Sequence, residues 1–136
     1  MQAPQKQSVN QLLKDKSIRI TNPRRIIAEH LFQGHCRHLT AEQLATELKD
    51  SGHNIALATV YNTLNVFSDK GLLKVVPLTP VLNIYDTNTS SHHHIYNEVT
   101  GEIIDAPSNI FQGQIQKEML PEGVTLTGID VVLRVQ

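Results

Sequence analysis

The chain has 136 residues, 40% of them hydrophobic and 18% charged, which describes one ordinary globular domain or two small ones and excludes a disordered or fibrous chain. No apolar run approaches the roughly 18 residues that span a bilayer, Met1-Gln2-Ala3-Pro4-Gln5-Lys6-Gln7 lacks the apolar core of a signal peptide, and a lone cysteine, Cys36, allows no intrachain disulfide and no thiolate zinc cluster; a cytoplasmic protein with no membrane partner is expected. The net charge of −1 hides an asymmetry: residues 1–76 carry ten Lys/Arg against six Asp/Glu, residues 77–136 two against seven, so a basic half suited to nucleic acid precedes an acidic half of another kind.

Val9, Leu12 and Leu13 at helical spacing predict a short amphipathic helix over residues 8–16. Thr21 can cap a second helix that Pro23 opens, with Ile27 and Leu31 four apart and Gly34 beyond its end. Thr40-Ala41-Glu42-Gln43 matches a capping box, and Ala41, Leu44, Ala45 and Leu48 form one apolar stripe before Ser51-Gly52 stops the helix. A fourth helix is expected from about Leu57 to Lys70, with Val60, Leu64 and Phe67 buried and Gly71 as terminator. Its other early positions, Thr59, Tyr61, Asn62, Thr63 and Asn65, are uncharged amides and hydroxyls. A solvated helix face usually carries Lys and Glu, whereas these groups suit base-edge and phosphate contacts in a major groove.

Two strand-like runs follow, Leu72–Val76 and Val81–Tyr85, with Pro77-Leu78-Thr79-Pro80 as the expected loop of a hairpin. Helices ending in a polar-faced one, then a hairpin, make a winged helix-turn-helix; Arg19, Arg24, Arg25 and Lys74 would neutralise phosphates of double-stranded DNA.

Thr87-Asn88-Thr89-Ser90-Ser91 is a polar run suited to a hinge. Beyond it, residues 93–99 and 102–105 read as strands around Thr100-Gly101. Pro107 opens an expected helix with Ile110, Phe111, Ile115, Met119 and Leu120 apolar, and Pro121-Glu122-Gly123 ends it. Val124 and Leu126, then Ile129, Val131, Leu133 and Val135, alternate as in a strand. The fold class is therefore α+β: a winged helix-turn-helix over residues 1–87, then a small α/β unit over 88–136 with a three-stranded sheet and one helix. A unit this small without a disulfide buries too little surface to stand alone, so a homodimer is expected, reading a palindromic operator.

The hinge leads into His92-His93-His94. In an extended segment His92 and His94 face one way and His93 the other, and imidazole is the commonest protein metal ligand. The chain has no GxSxG, HExxH or glycine-rich phosphate loop, and an enzyme is not expected.

Ala58-Thr59-Val60-Tyr61-Asn62-Thr63-Leu64, Arg37-His38-Leu39-Thr40-Ala41-Glu42 and Ile20-Thr21-Asn22-Pro23-Arg24 together resemble, in order, segments of the ferric uptake regulator family. The resemblance implies an α+β dimerisation unit in the second half and a regulatory divalent metal (manganese, iron or zinc) held by His38, Asp86, His92 and His94. It further implies that Arg19 reaches a minor groove and that Tyr61 packs on thymine. Asn62 stands where many members have arginine. The family's usual Cys-x-x-Cys pair falls here on Asn97 and Thr100, so that structural zinc site is missing. A second common site keeps only His93, with Gln112 and Ile129 at its other positions. The run from Asp86 to His94 is similar to that of one branch, the iron response regulators of alphaproteobacteria, which lack the cysteine pair and sense haem. That likeness implies haem at His92, His93 and His94, haem-dependent release of DNA, and a haem-delivering enzyme as a further partner. The branch's Cys-Pro haem motif is absent, because Arg37 follows Cys36. A metal sensor without haem, and a haem-storage module on a helix-turn-helix scaffold, are the other readings.

Overall fold

A computed structural model describes residues 6–32 and 34–136, in two compact units, 1–89 and 90–136. The N-terminal stretch read above as lacking a signal peptide lies, for Met1 to Gln5, outside the described residues. Among the described residues no helix is long and apolar enough to cross a membrane.

The first unit starts with helices α1 (Lys6–Asp15) and α2 (Asn22–Leu31). Thr21 caps α2, its hydroxyl accepting the Arg24 amide at 3.3 Å. A two-residue strand, β1 (His38–Leu39), leads into α3 (Ala41–Asp50). The capping box forms in both directions: Gln43 N donates to Thr40 Oγ1 at 3.1 Å, and Thr40 N to Gln43 Oε1 at 2.8 Å. Helix α4 (Leu57–Asp69) ends in a paired closure, Gly71 N to Ser68 O at 3.0 Å and Leu72 N to Phe67 O at 2.8 Å. That closure needs a left-handed residue, which Gly71 supplies at φ 80°. The core is one cluster in which Leu13, Ile27, Leu31, Leu44, Leu48, Val60, Leu64 and Phe67 are fully buried. Helical spacing alone accounts for it, since one stripe from each helix points inward.

Strands β2 (Lys74–Thr79) and β3 (Leu82–Asp86) form the wing. β2 runs through Pro77, where the sequence predicts a loop. The sheet order is β1-β3-β2, so β2 is an edge, and an edge tolerates a residue without an N–H. Val76 and Leu78 face the interior while Pro77 and Thr79 are exposed, and the register shifts between Pro77 and Thr79. The sheet has three strands rather than two because β1 adds to β3; two residues are too few to show a period in sequence.

In the second unit β4 (His94–Asn97) is central, antiparallel to β5 (Ile103–Asp105) and parallel to β6 (Val132–Val135). The helix expected from Pro107 is reduced to a single 3-10 turn, Lys117–Met119. Gly113 disfavours a helix there, and the apolar residues that would anchor it are not packed: Ile110 and Ile115 are exposed. The Phe111 ring lies against Gly113 so closely that a Cβ at that position would overlap it. Of the expected C-terminal alternation only Val132–Val135 forms a strand.

Candidate metal centre and nucleic-acid interface

In the first unit β1 and β3 pair so that His38 stands opposite Asp86. Directly opposite residues of an antiparallel pair share a face, and His38 Nε2 lies 3.1 Å from Asp86 Oδ2. The Asp86 side chain is 1% exposed. Its Oδ1 accepts the Asn88 amide at 2.8 Å, which fixes the carboxylate at the strand's end. β1 is held on both sides. Arg37 N donates to Thr87 Oγ1 at 2.9 Å and Thr87 N to Arg37 O at 3.1 Å. The Arg37 guanidinium grips Glu47 of α3 at 2.6 and 3.0 Å, and His30 Nε2 of α2 sits 2.8 Å from the same carboxylate. The Arg37 hydrogen bonds hold the Glu47 carboxyl below the usual carboxylate range, against the opposing effect of burial.

The second unit carries its own set. The β4–β5 hairpin places His94 opposite Asp105. His92 Nε2 lies 3.2 Å and His94 Nε2 3.7 Å from Asp105 Oδ1, the two rings are 4.4 Å apart, and the three ligand atoms fall within 4.8 Å of one another. His92 Nδ1 is 2.6 Å from the Ser90 carbonyl. A carbonyl only accepts, so Nδ1 carries the proton and Nε2 is presented to Asp105, the arrangement that orients a metal-ligating imidazole. His93 is on the other face: its Nδ1 accepts the Val131 amide at 3.1 Å and its ring meets Phe111 edge-on at 5.9 Å.

Each unit thus presents imidazole and carboxylate together, a nitrogen–oxygen donor set that suits manganese, iron(II) or zinc. Asp105 was not among the residues singled out from sequence. The signal was available in the Thr100-Gly101 turn, since a hairpin closed there sets Asp105 against His94. Asn97, at a position that the resemblance gives to cysteine, closes that turn instead. Its Oδ1 accepts the amides of Val99 and Thr100 at 2.9 and 3.0 Å. Thr100 Oγ1 accepts the Glu102 amide at 3.2 Å.

On α4, Tyr61, Asn62 and Asn65 are exposed and Thr59 is half-buried. Thr63 is buried, and so belongs with Val60, Leu64 and Phe67 rather than with the polar face. Tyr61 Oη donates to Glu42 Oε1 of α3 at 2.6 Å. Arg19 is exposed. Arg24 Nη1 donates to the Arg19 carbonyl at 2.9 Å, whereas Arg25 is engaged by Glu29 and Asn22. Lys74 opens β2 in register with Asp86. The wing between them has no Lys or Arg.

A winged helix with an uncharged polar face on α4, together with candidate metal-ligating clusters at the wing's end and in the following sheet, is the arrangement of a metal-responsive transcription regulator. Residues 15–134 match the model of the ferric uptake regulator family. The chain is 35% identical over 125 residues to the ferric uptake regulation protein of Vibrio parahaemolyticus, covering 91% of this chain and 84% of that one. The solved ferric uptake regulator of Vibrio cholerae superposes with a TM-score of 0.76 at 34% identity, covering 93% and 98% of the two chains. That of Pseudomonas aeruginosa, solved with manganese, gives 0.69 at 28% identity, covering 93% and 96%. The chain belongs to the ferric uptake regulator family, whose members are transcription regulators and not enzymes.

Proposed function

We propose that this chain is a dimeric, sequence-specific DNA-binding regulator of iron homeostasis genes whose DNA affinity is set by one divalent ion. The ion would be held by His38 and Asp86 from the first unit and by His92, His94 and Asp105 from the second. Only five residues separate Asp86 from His92, so the chain keeps them within about 20 Å of each other. The single observation that carries the reading is the paired donor sets: His38 against a fully buried carboxylate, and two imidazoles against Asp105. The manganese of the Pseudomonas aeruginosa relative is of the class these donors suit. An ion shared by both units would favour one relative orientation of the winged helix, and therefore one spacing of the two reading helices in a dimer. In that reading Arg19, Arg24 and Lys74 contact the backbone, and Thr59, Tyr61 and Asn62 read bases. Exposed Phe111, Ile115, Val124 and Leu126 on the second unit supply apolar surface for the dimer contact.

A haem-responsive reading, closest to the iron response regulators, is supported by the three-histidine run and by Asn97 and Thr100 in place of cysteines. His93 favours it specifically, because it points away from Asp105 and lies beside an aromatic ring. The test is one preparation assayed for DNA retardation with a randomised duplex pool, with and without manganese and with and without haem. Manganese is expected to tighten wild-type binding at least tenfold, and Asp86→Ala or His94→Ala to remove that gain. Equal binding by wild type with and without manganese overturns the metal reading. A Soret band that disappears in His93→Ala, with loss of DNA on haem addition, would establish the second.

A further inference from the structure

The reading face of α4 has a carboxylate beside it. Glu42 sits in the first turn of α3, one residue beyond buried Ala41, where the Thr40 capping box fixes the helix start. Leu44 and Leu48 of α3 and Val60 and Leu64 of α4 are buried in the same core and the two helices are in contact, so α3 and α4 are in fixed relation. From that position Glu42 Oε1 takes the proton of Tyr61 Oη at 2.6 Å. The contact holds the Glu42 carboxyl low and pushes the Tyr61 phenol up. A second phenol is near: buried Tyr85 of β3 donates to Asn65 of α4 at 3.2 Å, and Glu42 contributes to raising its pKa, after burial. An acidic group next to a surface meant for DNA repels phosphate, and although a first-turn acid suits the α3 dipole, that role needs no contact with Tyr61.

We propose that Glu42 is a specificity-determining positioning residue for DNA reading, which fixes the use Tyr61 can make of DNA. The inference rests on the DNA-binding reading above. A tyrosine has one proton to donate. While that proton goes to Glu42, Tyr61 has none for a phosphate oxygen, and the carboxylate further disfavours docking the phenol against the backbone. The ring is left to make apolar contact with a base edge, and a thymine methyl is the apolar group a major groove offers. Glu42 therefore converts a residue able to bind any DNA backbone into one that discriminates between bases. It acts through Tyr61 and touches no base itself.

Three variants separate the roles. Glu42→Gln retains an acceptor for the phenol and removes the charge; Glu42→Ala removes both; Tyr61→Phe removes the proton and keeps the ring. The probe is a duplex selected by wild type from a randomised pool, compared with the same duplex carrying deoxyuridine for thymidine and with an unrelated duplex, in manganese at fixed salt. Glu42→Ala is expected to bind the unrelated duplex more tightly and to lose roughly three- to tenfold of the ratio between selected and unrelated duplex. Its penalty for deoxyuridine should shrink. Glu42→Gln should keep most of the deoxyuridine penalty while gaining general affinity. In a double-mutant cycle, Glu42→Ala should cost little further discrimination in the Tyr61→Phe background. Unchanged discrimination in Glu42→Ala, with wild-type thermal unfolding, overturns the proposal. Failure of wild type to select any sequence would instead overturn the DNA-binding reading beneath it.

Discussion

Glu47 shows how much rests on a single side chain outside the ligand set. It joins α2 through His30 and the approach to β1 through Arg37, and Arg37 directly precedes His38. The carboxylate side chain is 38% exposed, so the Arg37 pair is screened and Glu47→Gln should cost no more than about 1 kcal/mol at neutral pH. The sign of its pH dependence is set by the lowered pKa. A depressed carboxylate stabilises the fold fully above its unfolded value, about 4.3, and the contribution is lost as pH falls through the lower folded value. Urea unfolding across pH should therefore show a gap between wild type and Glu47→Gln that persists down to about pH 5 and closes below it. A gap that widens on acidification would contradict the assignment. At this scale His38, Asp86, His92 and His94 were named from the sequence through the family resemblance, and the structure sets His38 beside Asp86 and His92 beside His94. Asp105, Glu42 and Glu47 were not singled out, because an acidic residue in a strand or first turn looks like ordinary solvated charge until its partner is placed.

Helices α2, α3 and α4 were legible because each carries both an apolar stripe and chemical punctuation: Thr21 with Pro23, Thr40 with Gln43, Gly71 after α4. Where tertiary context decides, the reading failed. β1 exists only because β3 offers it a partner, and β2 passes through Pro77 only because it is an edge. The segment after Pro107 has apolar residues at plausible spacing but no surface that buries them. Helix α4 should show the opposite sensitivity. Phe67 is fully buried and its ring lies 6.2 Å from that of Phe32, so Phe67→Ala should destabilise the first unit by about 3–5 kcal/mol, measured by chemical denaturation. A loss below about 1 kcal/mol would mean that α4 is held by something other than this core.

For the whole molecule, the two units differ in how far each can account for its own stability. Residues 1–89 contain a continuous core, whereas in residues 90–136 only His94 is buried and Met119 is 81% exposed. A dimer contact through the second unit links folding to association, and the melting temperature then depends on concentration. Calorimetry over a hundredfold range of protein concentration should show the transition rising with concentration, and Phe111→Asp should abolish that rise. A transition independent of concentration in wild type would exclude the dimer as the stabilising species.

Asn97 carries one more consequence. A hairpin turn closed by its amide oxygen needs no thiolate-bound zinc to close it. In proteins whose structural sites are metal-bound, chelators and peroxides attack the scaffold itself. Under the proposed function, chelation is expected to remove the ion and leave this turn closed, so that loss of metal is read as a signal rather than suffered as damage.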